Sequence, residues 1–208
     1  MKFILFVEGH TEDNALPEFL NRCLNEKLTT RVGVKSVRFE GWHQLVKDAA
    51  GKVHEYLNQP KGLMTLSPTL AFDLYGPTFY PLEKSTSTER YNWAKAYMEK
   101  QVGHAKFRQF FAVHETEAWL LSDPTNFSFE IEKALIDKYP PPEEINFDRH
   151  PKKLLKELYP QRLKRSYIET VDGKKLFGKL EPTIAYEKCP SLRLMLDEML
   201  ILAKAAGI

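Results

Sequence analysis

Three short apolar runs, each followed by acidic residues, constrain the fold of this chain most strongly. The runs occupy residues 3–7, 69–72 and 110–113. The acids that follow them are Glu8, Asp73, Glu115 and Glu117. Uninterrupted apolar runs of this length are typical of strands buried on both faces of a parallel sheet. Parallel neighbours would bring these acids to the carboxyl edge, where open α/β sheets bind ligands. Because clustered carboxylates repel one another unless a cation lies among them, the pattern predicts a site for Mg²⁺ or Mn²⁺.

Strand-like runs and helical periodicities alternate over the first 125 residues. Strands are expected at residues 2–7, 32–39, 69–73 and 107–113, and helices at residues 42–57 and 88–102 and from Glu117 onwards. A further helix is expected from about Asn14, which would put Pro17 in its first turn, where proline is tolerated. Gly9, between the first strand and this helix, would let the backbone turn tightly. The order predicts an α/β fold with a mostly parallel sheet and helices on both faces.

The rest of the chain has a different character. It contains three consecutive prolines at residues 140–142, several short amphipathic pieces and a final helical pattern around residues 191–206. We therefore expect an α/β core at residues 1–125 and a helical C-terminal appendage at residues 126–208 that packs on the core.

Composition excludes several classes of protein. The net charge of +2 is too small to indicate nucleic-acid binding by itself, although a local basic patch would be compatible with it. The two cysteines, Cys23 and Cys189, are far apart and form neither a disulfide framework nor a zinc motif. No apolar run approaches the length that spans a bilayer, and the first residues do not resemble a signal peptide. We therefore expect a cytoplasmic protein with no membrane contact.

Most of the candidate site residues also have a structural explanation. An Asx-turn at a strand exit would account for Asp73, and the helix macrodipole would account for Glu12. His114 is better explained as a hydrogen-bonded structural histidine, and Glu117 could be an ordinary acid in the first turn of a helix. Glu8 has no such explanation, because a carboxylate at the end of a buried strand needs a partner. Glu12 and His114 are therefore second-tier candidates, behind Glu8, Asp73, Glu115 and Glu117.

Basic residues in the second half are candidates for binding phosphate. Lys152 and Lys153 would form a phosphate clamp, or alternatively the solvated start of a helix. A possible nucleic-acid track comprises Lys164 and Arg165 with Tyr167, and Lys174 and Lys175 near Phe177; a solvated surface is the alternative.

Five segments resemble the bacterial domain of unknown function 4276, whose members are considered Toprim-like. They are residues 7–12, 72–76, 113–124, 150–154 and 188–191. The resemblance implies a Toprim-like sheet in which Glu8 is the metal-proximal or acid–base glutamate and Asp73 the first acid of a later pair. Tyr75 stands where a second aspartate would be expected, and Glu115 or Glu117 could supply that ligand, as in the overcoming-lysogenization-defect nucleases. The resemblance also implies ATPase partners and a setting in phage defence.

These observations favour a metal-dependent nuclease that cleaves DNA or RNA phosphodiesters. Glu8, Asp73 and Glu117 would hold one or two Mg²⁺ or Mn²⁺ ions, which activate water and neutralise the scissile phosphate. A non-catalytic Toprim-like module that docks on an ATPase partner is the alternative, which Tyr75 and the exposed aromatic residues of the loop at 75–80 would support. A third possibility is another phosphotransfer enzyme with Asp73 as nucleophile. The chain has no Gly-rich phosphate loop, which disfavours an NTPase or a dehydrogenase.

Overall fold

The structure of the protein is a computed structural model. It describes residues 1–58, 65–73, 79–112, 115–136, 141–144 and 150–208, with the backbone alone for 65–73.

Four parallel strands form one sheet in the described residues. They are β1 (Lys2–Val7), β2 (Gly33–Arg38), β3 (Thr65–Asp73) and β4 (Arg108–Ala112), in the spatial order β2-β1-β3-β4. Val7 pairs with Ala71, and Asp73 pairs with Ala112. The carboxyl ends of β1, β3 and β4 therefore lie along one edge, which confirms the parallel sheet that the alternating pattern predicts.

Helices connect the strands and make up the second half of the chain. Those in the described residues are α1 (His10–Asn25), α2 (Trp42–Leu57), α3 (Ser87–Val102), α4 (Glu117–Leu121), α5 (Phe129–Leu135), α6 (Pro151–Leu163), α7 (Lys174–Lys179), α8 (Pro182–Lys188) and α9 (Pro190–Ala205). Short 3₁₀ turns lie at Pro124–Asn126 and Pro142–Glu144, and a π-helical turn lies at Glu169–Gly173. None of these helices combines the length and the hydrophobicity needed to cross a membrane.

The sheet separates two hydrophobic clusters. Because side chains alternate along a strand, Phe3, Leu5 and Val7 of β1 face one side, and Ile4 and Phe6 face the other. The first group packs with α1 and with the helices of the second half of the chain. The second group packs with α2 and α3. Both faces of β1 are buried, as its apolar sequence predicts.

The second half of the chain shares its core with the sheet. The rings of Phe19 in α1 and Phe177 in α7 lie 5.7 Å apart between centroids. The Arg22 guanidinium donates hydrogen bonds to the carbonyls of Phe177, Gly178 and Leu180, at 2.6, 2.6 and 3.1 Å. These bonds satisfy carbonyls at the end of α7 that lack partners within that helix. The expected division into a core and a C-terminal appendage stays a prediction.

Helix α1 begins earlier than the sequence predicts. It starts at His10 rather than near Asn14, so Pro17 lies inside the helix and not in its first turn. Proline has no N–H to donate to the carbonyl four residues before it, which is that of Asp13. The Ser36 hydroxyl lies 3.1 Å from this carbonyl and 2.5 Å from the Asp13 carboxylate. The Ser36 hydroxyl of β2 thus replaces the backbone N–H that Pro17 cannot donate to the Asp13 carbonyl.

Strand β3 is longer than expected. It begins at Thr65 and not at Thr69, and its register with β1 shifts by one residue between the pairs Phe3–Leu66 and Leu5–Thr69. Pro68 falls within this shift and has no N–H for the ladder. An irregularity in pairing therefore accommodates the proline without ending the strand.

Candidate functional site

Glu117 is the most deeply buried of the acids whose side chains the structure describes near the carboxyl edge. It is the first residue of α4, behind β4, and only 1% of it is exposed. Its Oε2 atom has no hydrogen-bond partner among the described residues. Burial raises the pKa of Glu117 to about 8; Lys152 opposes this shift, and the charges of Glu12, Glu115 and Glu169 add to it. We call these four glutamates, Glu12, Glu115, Glu117 and Glu169, the acidic cluster.

Glu12 reaches the acidic cluster from the first turn of α1. It is 7% exposed, and its Oε1 accepts a 3.2 Å hydrogen bond from the Thr116 hydroxyl. Gly9 has an extended backbone with φ −123°, so it is not needed for a special turn, contrary to our expectation. A Cβ on Gly9 would instead lie 2.0 Å from Oε2 of Glu12. The glycine therefore makes room for the buried carboxylate.

Glu115 joins the acidic cluster to the start of α6. Its Oε2 accepts a 2.7 Å hydrogen bond from the backbone N–H of Lys152. Burial raises the pKa of Glu115, against the opposing effect of this bond and of the Lys152 charge. The helix that the sequence predicts to carry phosphate-binding lysines therefore docks on the turn that carries the predicted acids.

The ammonium groups of α6 contact an acid that sequence reasoning missed. Lys152 Nζ lies 3.3 Å from Oε2 of Glu169, and Lys156 Nζ lies 2.8 Å from Oε1. Although burial works against it, the hydrogen bond from Lys156 and the charge of Lys152 hold the pKa of Glu169 below its usual value. Lys153 is exposed on the same turn. No periodicity or strand end marks Glu169 in the sequence.

Tyr167, which the sequence suggests as part of a nucleic-acid track, instead lies near Glu117 of the acidic cluster. Its hydroxyl is buried without a hydrogen-bond partner in the described part of the chain. Burial, followed by the Glu117 charge, raises the pKa of this phenol far above its usual value. A Cβ on Gly173 would lie 3.0 Å from the Thr11 methyl and 3.2 Å from the Tyr167 hydroxyl, so the π-helical turn packs closely here.

The aromatic residues of the expected nucleic-acid track are not available to stack on bases. Tyr167 and Phe177 are both buried. Arg165 donates two hydrogen bonds to the Asp172 carboxylate, at 2.7 and 2.8 Å, and its guanidinium lies 4.9 Å from the Tyr159 ring centroid. These two aromatic residues therefore belong to the core and contribute no surface to a nucleic-acid track.

Among the remaining site residues that the sequence predicts, the structure describes the position of Glu8 and only the backbone of Asp73. Glu8 follows β1, is half-buried, and lies close enough to Tyr80 for its charge to raise the pKa of that phenol, although burial contributes more. The backbone of Asp73 ends β3 at the same edge. Its side chain lies outside the described part, as do His114 and Tyr75.

The acidic cluster suits a hard divalent cation in its donor chemistry. It offers carboxylate oxygens, which Mg²⁺ and Mn²⁺ prefer, and one buried oxygen without a partner. In the stretches of chain that the structure describes, no three acidic, histidine or cysteine side chains are arranged to share a metal ion. A complete ligand set would therefore need a further residue, for which Asp73 is the candidate from the sequence.

Comparison with known proteins gives one informative result. Neither curated proteins nor solved structures yield a match to this chain. The model of a domain of unknown function, DUF4276, matches residues 7–200 of the 208. The chain therefore belongs to the DUF4276 family.

Proposed function

We propose that this protein is a divalent-metal-dependent phosphodiesterase that acts on DNA or RNA. The observation that carries the proposal is Glu117, a buried carboxylate with an unpartnered oxygen and three acidic neighbours at the carboxyl edge of the sheet. A buried carboxylate in this setting is costly to ionise unless a cation compensates for it. Perturbed carboxyl groups of this kind are concentrated at functional sites.

The proposed ligands are Glu8, Asp73, Glu115 and Glu117. A bound Mg²⁺ or Mn²⁺ would supply an activated water molecule and neutralise charge on the scissile phosphate. Glu12, held by the Thr116 hydroxyl, would orient the water or accept its proton.

Lys152 and Lys153 would attract the phosphate to this edge. Lys152 is the better placed of the two, because its backbone already contacts Glu115. Its ammonium group pairs with Glu169, which would hold it ready to exchange partners when the substrate phosphate arrives.

A Toprim-like relationship is part of the same proposal. Support comes from a glutamate directly after β1 and an aspartate at the end of β3, in neighbouring parallel strands. By analogy the protein would act with an ATPase partner in phage defence or DNA maintenance.

A cleavage assay tests the proposed activity. Labelled DNA and RNA would be incubated with Mg²⁺ or Mn²⁺ and with wild type, Glu8→Gln, Glu117→Gln or the control Glu18→Gln, which changes an exposed residue of α1. We expect wild type and Glu18→Gln to cleave equally and the two site variants to lose about 100-fold in rate. Metal-independent cleavage, or equal activity in all four proteins, would refute the proposal.

The alternative is a non-catalytic module that docks on an ATPase partner. Tyr75, at the position where a second aspartate would be expected, supports this alternative. Titration calorimetry and thermal melting with millimolar Mn²⁺ distinguish the two functions. An absence of both binding heat and stabilisation would support the docking module.

A further inference from the structure

Two exposed apolar residues lie in the turn that brings Glu169 to the acidic cluster. Ile168 and Val171 are 52% and 46% exposed, and they lie on either side of Glu169 in the sequence. Glu169 is a member of the acidic cluster, because its charge acts on Glu117. The backbone itself therefore places both apolar side chains within two residues of a member of that cluster. We call Ile168 and Val171 the apolar pair.

The turn that presents the apolar pair is fixed by hydrogen bonds and by packing. Asp172 is buried, and its Oδ2 accepts a 2.8 Å hydrogen bond from the backbone N–H of Ile168. The backbone N–H of Val171 donates a 3.0 Å bond to the carbonyl of Ile168. Gly173 packs so closely on the core that a Cβ there would lie 3.2 Å from the Tyr167 hydroxyl. The apolar pair is thus ordered before any partner arrives, which lowers the entropic cost of binding.

Basic side chains flank this turn on both sides. Two lysines of α6 pair with Glu169, at 3.3 and 2.8 Å. Arg165 pairs with Asp172 at 2.7 Å. Although burial works against it, the hydrogen bond from Arg165 and, to a smaller extent, the charge of Lys175 hold the pKa of Asp172 below its usual value. Four basic side chains therefore act on the two acids of the turn, which leaves an excess of positive charge around the apolar pair.

The excess of positive charge extends along the chain on both sides of the turn. Residues 151–180 contain nine lysine and arginine residues and three acidic residues, whereas the net charge of the whole chain is only +2. The rest of the chain is therefore net acidic. Lys153, Lys164 and Lys174 of this basic segment are exposed. A polyanion is attracted to this segment rather than to the protein as a whole.

We propose that the basic segment binds a single strand of nucleic acid and that the apolar pair contacts its unpaired bases. Phosphates supply the charge that complements the basic side chains. The apolar pair needs an apolar surface, and the faces of bases offer one only where the bases are unpaired, because a duplex stacks them in its interior. The choice of nucleic acid as the partner rests on the proposed nuclease function, since the scissile phosphate would lie at the acidic cluster.

An anionic bilayer is the competing partner for apolar residues among basic ones. The position of Glu169 disfavours it, because this acid lies between the two members of the apolar pair and its side chain is 30% exposed. A bilayer would bring the Glu169 carboxylate against anionic headgroups. In a complex with nucleic acid, the same carboxylate belongs to the acidic cluster that would bind the metal.

Binding measured without divalent metal tests this proposal separately from cleavage. Fluorescence anisotropy would compare a labelled single-stranded oligonucleotide with the duplex that it forms with its complement. We expect wild type to bind the single strand about ten-fold more tightly than the duplex. The double variant Ile168→Thr/Val171→Thr should lose about ten-fold in affinity for the single strand and little for the duplex. Its salt dependence should equal that of wild type, because no charge is removed.

Two further variants separate the apolar contribution from the electrostatic one. Ile201→Thr changes a residue of α9 that is 60% exposed and outside the basic segment, and this matched control should bind like wild type. Lys174→Gln/Lys175→Gln should weaken binding of both the single strand and the duplex, and should reduce the salt slope by about one for each lysine. Val171→Thr alone hardly changes the shape of the side chain and should lose about three-fold in single-strand affinity.

The outcomes separate the single-strand surface from the nuclease. Equal single-strand affinity of wild type and Ile168→Thr/Val171→Thr would overturn the surface whether or not the protein cleaves nucleic acid. Wild type that binds phosphatidylserine vesicles through the apolar pair, and binds no oligonucleotide, would overturn it in favour of a bilayer. Strand binding that depends on the apolar pair, in a protein without metal-dependent cleavage, would support the surface and refute the nuclease alone.

Discussion

The backbone N–H of Lys152 donates a 2.7 Å hydrogen bond to Oε2 of Glu115. This bond ties the first turn of α6 to the acidic turn after β4, across 37 positions of sequence. It serves two purposes: it satisfies one of the N–H groups that the start of a helix leaves free, and it fixes a glutamate beside Glu117.

Glu115→Ala should therefore destabilise the fold. Loss of a hydrogen bond to a charged acceptor typically costs about 2 kcal/mol in the free energy of unfolding. Glu115→Gln keeps an acceptor oxygen and should cost less. Urea denaturation measures both, with Glu18→Ala on the exposed face of α1 as a control that should stay within about 0.5 kcal/mol of wild type. Equal stability of Glu115→Ala and this control would show that the bond contributes nothing.

The pKa of Glu117 predicts how stability depends on pH. The folded state holds a proton on this carboxyl up to about pH 8, whereas the ordinary value is 4.5. Between these limits the folded state binds more protons than the unfolded chain, so the free energy of unfolding falls as the pH rises. Glu117→Gln cannot ionise and should lose this contribution. As the pH rises from 4.5 to about 8, the free energy of unfolding of the variant should therefore increase by at least about 2 kcal/mol relative to that of wild type. The reason is that each pKa unit is worth about 1.4 kcal/mol.

Divalent metal should reverse the order of stability of wild type and Glu117→Gln. If a cation binds beside the Glu117 carboxylate, millimolar Mn²⁺ should raise the melting temperature of wild type at pH 8 and leave that of Glu117→Gln nearly unchanged. Melting curves across the pH range, with and without Mn²⁺, measure both effects. Parallel curves for wild type and variant under all conditions would contradict the assigned pKa and the metal site together.

The ion pairs of Glu169 lead to a prediction about nucleic-acid binding. This carboxylate pairs with Lys152 and Lys156, and its negative charge opposes the approach of a phosphate to these two lysines. Glu169→Gln should therefore tighten binding of a single-stranded oligonucleotide by about three- to ten-fold at low salt, with a steeper salt dependence. Fluorescence anisotropy without divalent metal measures this, with Glu187→Gln, an exposed residue of α8, as the control. Weaker binding by Glu169→Gln would indicate that the acid positions the lysines instead of competing for them.

Continuous patterns in the sequence determine much of the fold. The uninterrupted apolar run of β1 and the apolar face of α2 predict the observed bounds, Lys2–Val7 and Trp42–Leu57. The edge of the sheet that carries the acids follows from the alternation of strands and helices.

The composition of the acidic cluster was harder to predict. Pro17 suggested a late start for α1, and Glu12 was a second-tier candidate with the helix macrodipole as the alternative explanation. Because α1 starts earlier, at His10, Glu12 lies in its first turn and is buried. Glu169 and Tyr167 come from a segment without periodicity, and only tertiary packing brings them to the cluster. Local pattern carries no information about such contacts.

The space beside Gly9 gives the sharpest test of the buried Glu12 carboxylate. In Gly9→Ala the added Cβ would lie 2.0 Å from Oε2 of Glu12, so the carboxylate must shift, and we expect this shift to break the bond between its Oε1 and Thr116. We expect a loss of about 1–2 kcal/mol in the free energy of unfolding. Cleavage and Mn²⁺ stabilisation should fall as well, because the acidic cluster loses one of its members.

Gly51→Ala is the matched control for this substitution. Gly51 lies in the exposed middle of α2, and a Cβ there meets no atom within 4 Å. Because alanine is the better helix former, the free energy of unfolding of this variant, measured by urea denaturation, should be about 0.5–1 kcal/mol higher than that of wild type. Its stabilisation by Mn²⁺ should equal that of wild type. The two glycine substitutions should thus change stability in opposite directions. If Gly9→Ala instead gained stability like the control, Glu12 would not be packed against Gly9, and its place in the acidic cluster would be lost.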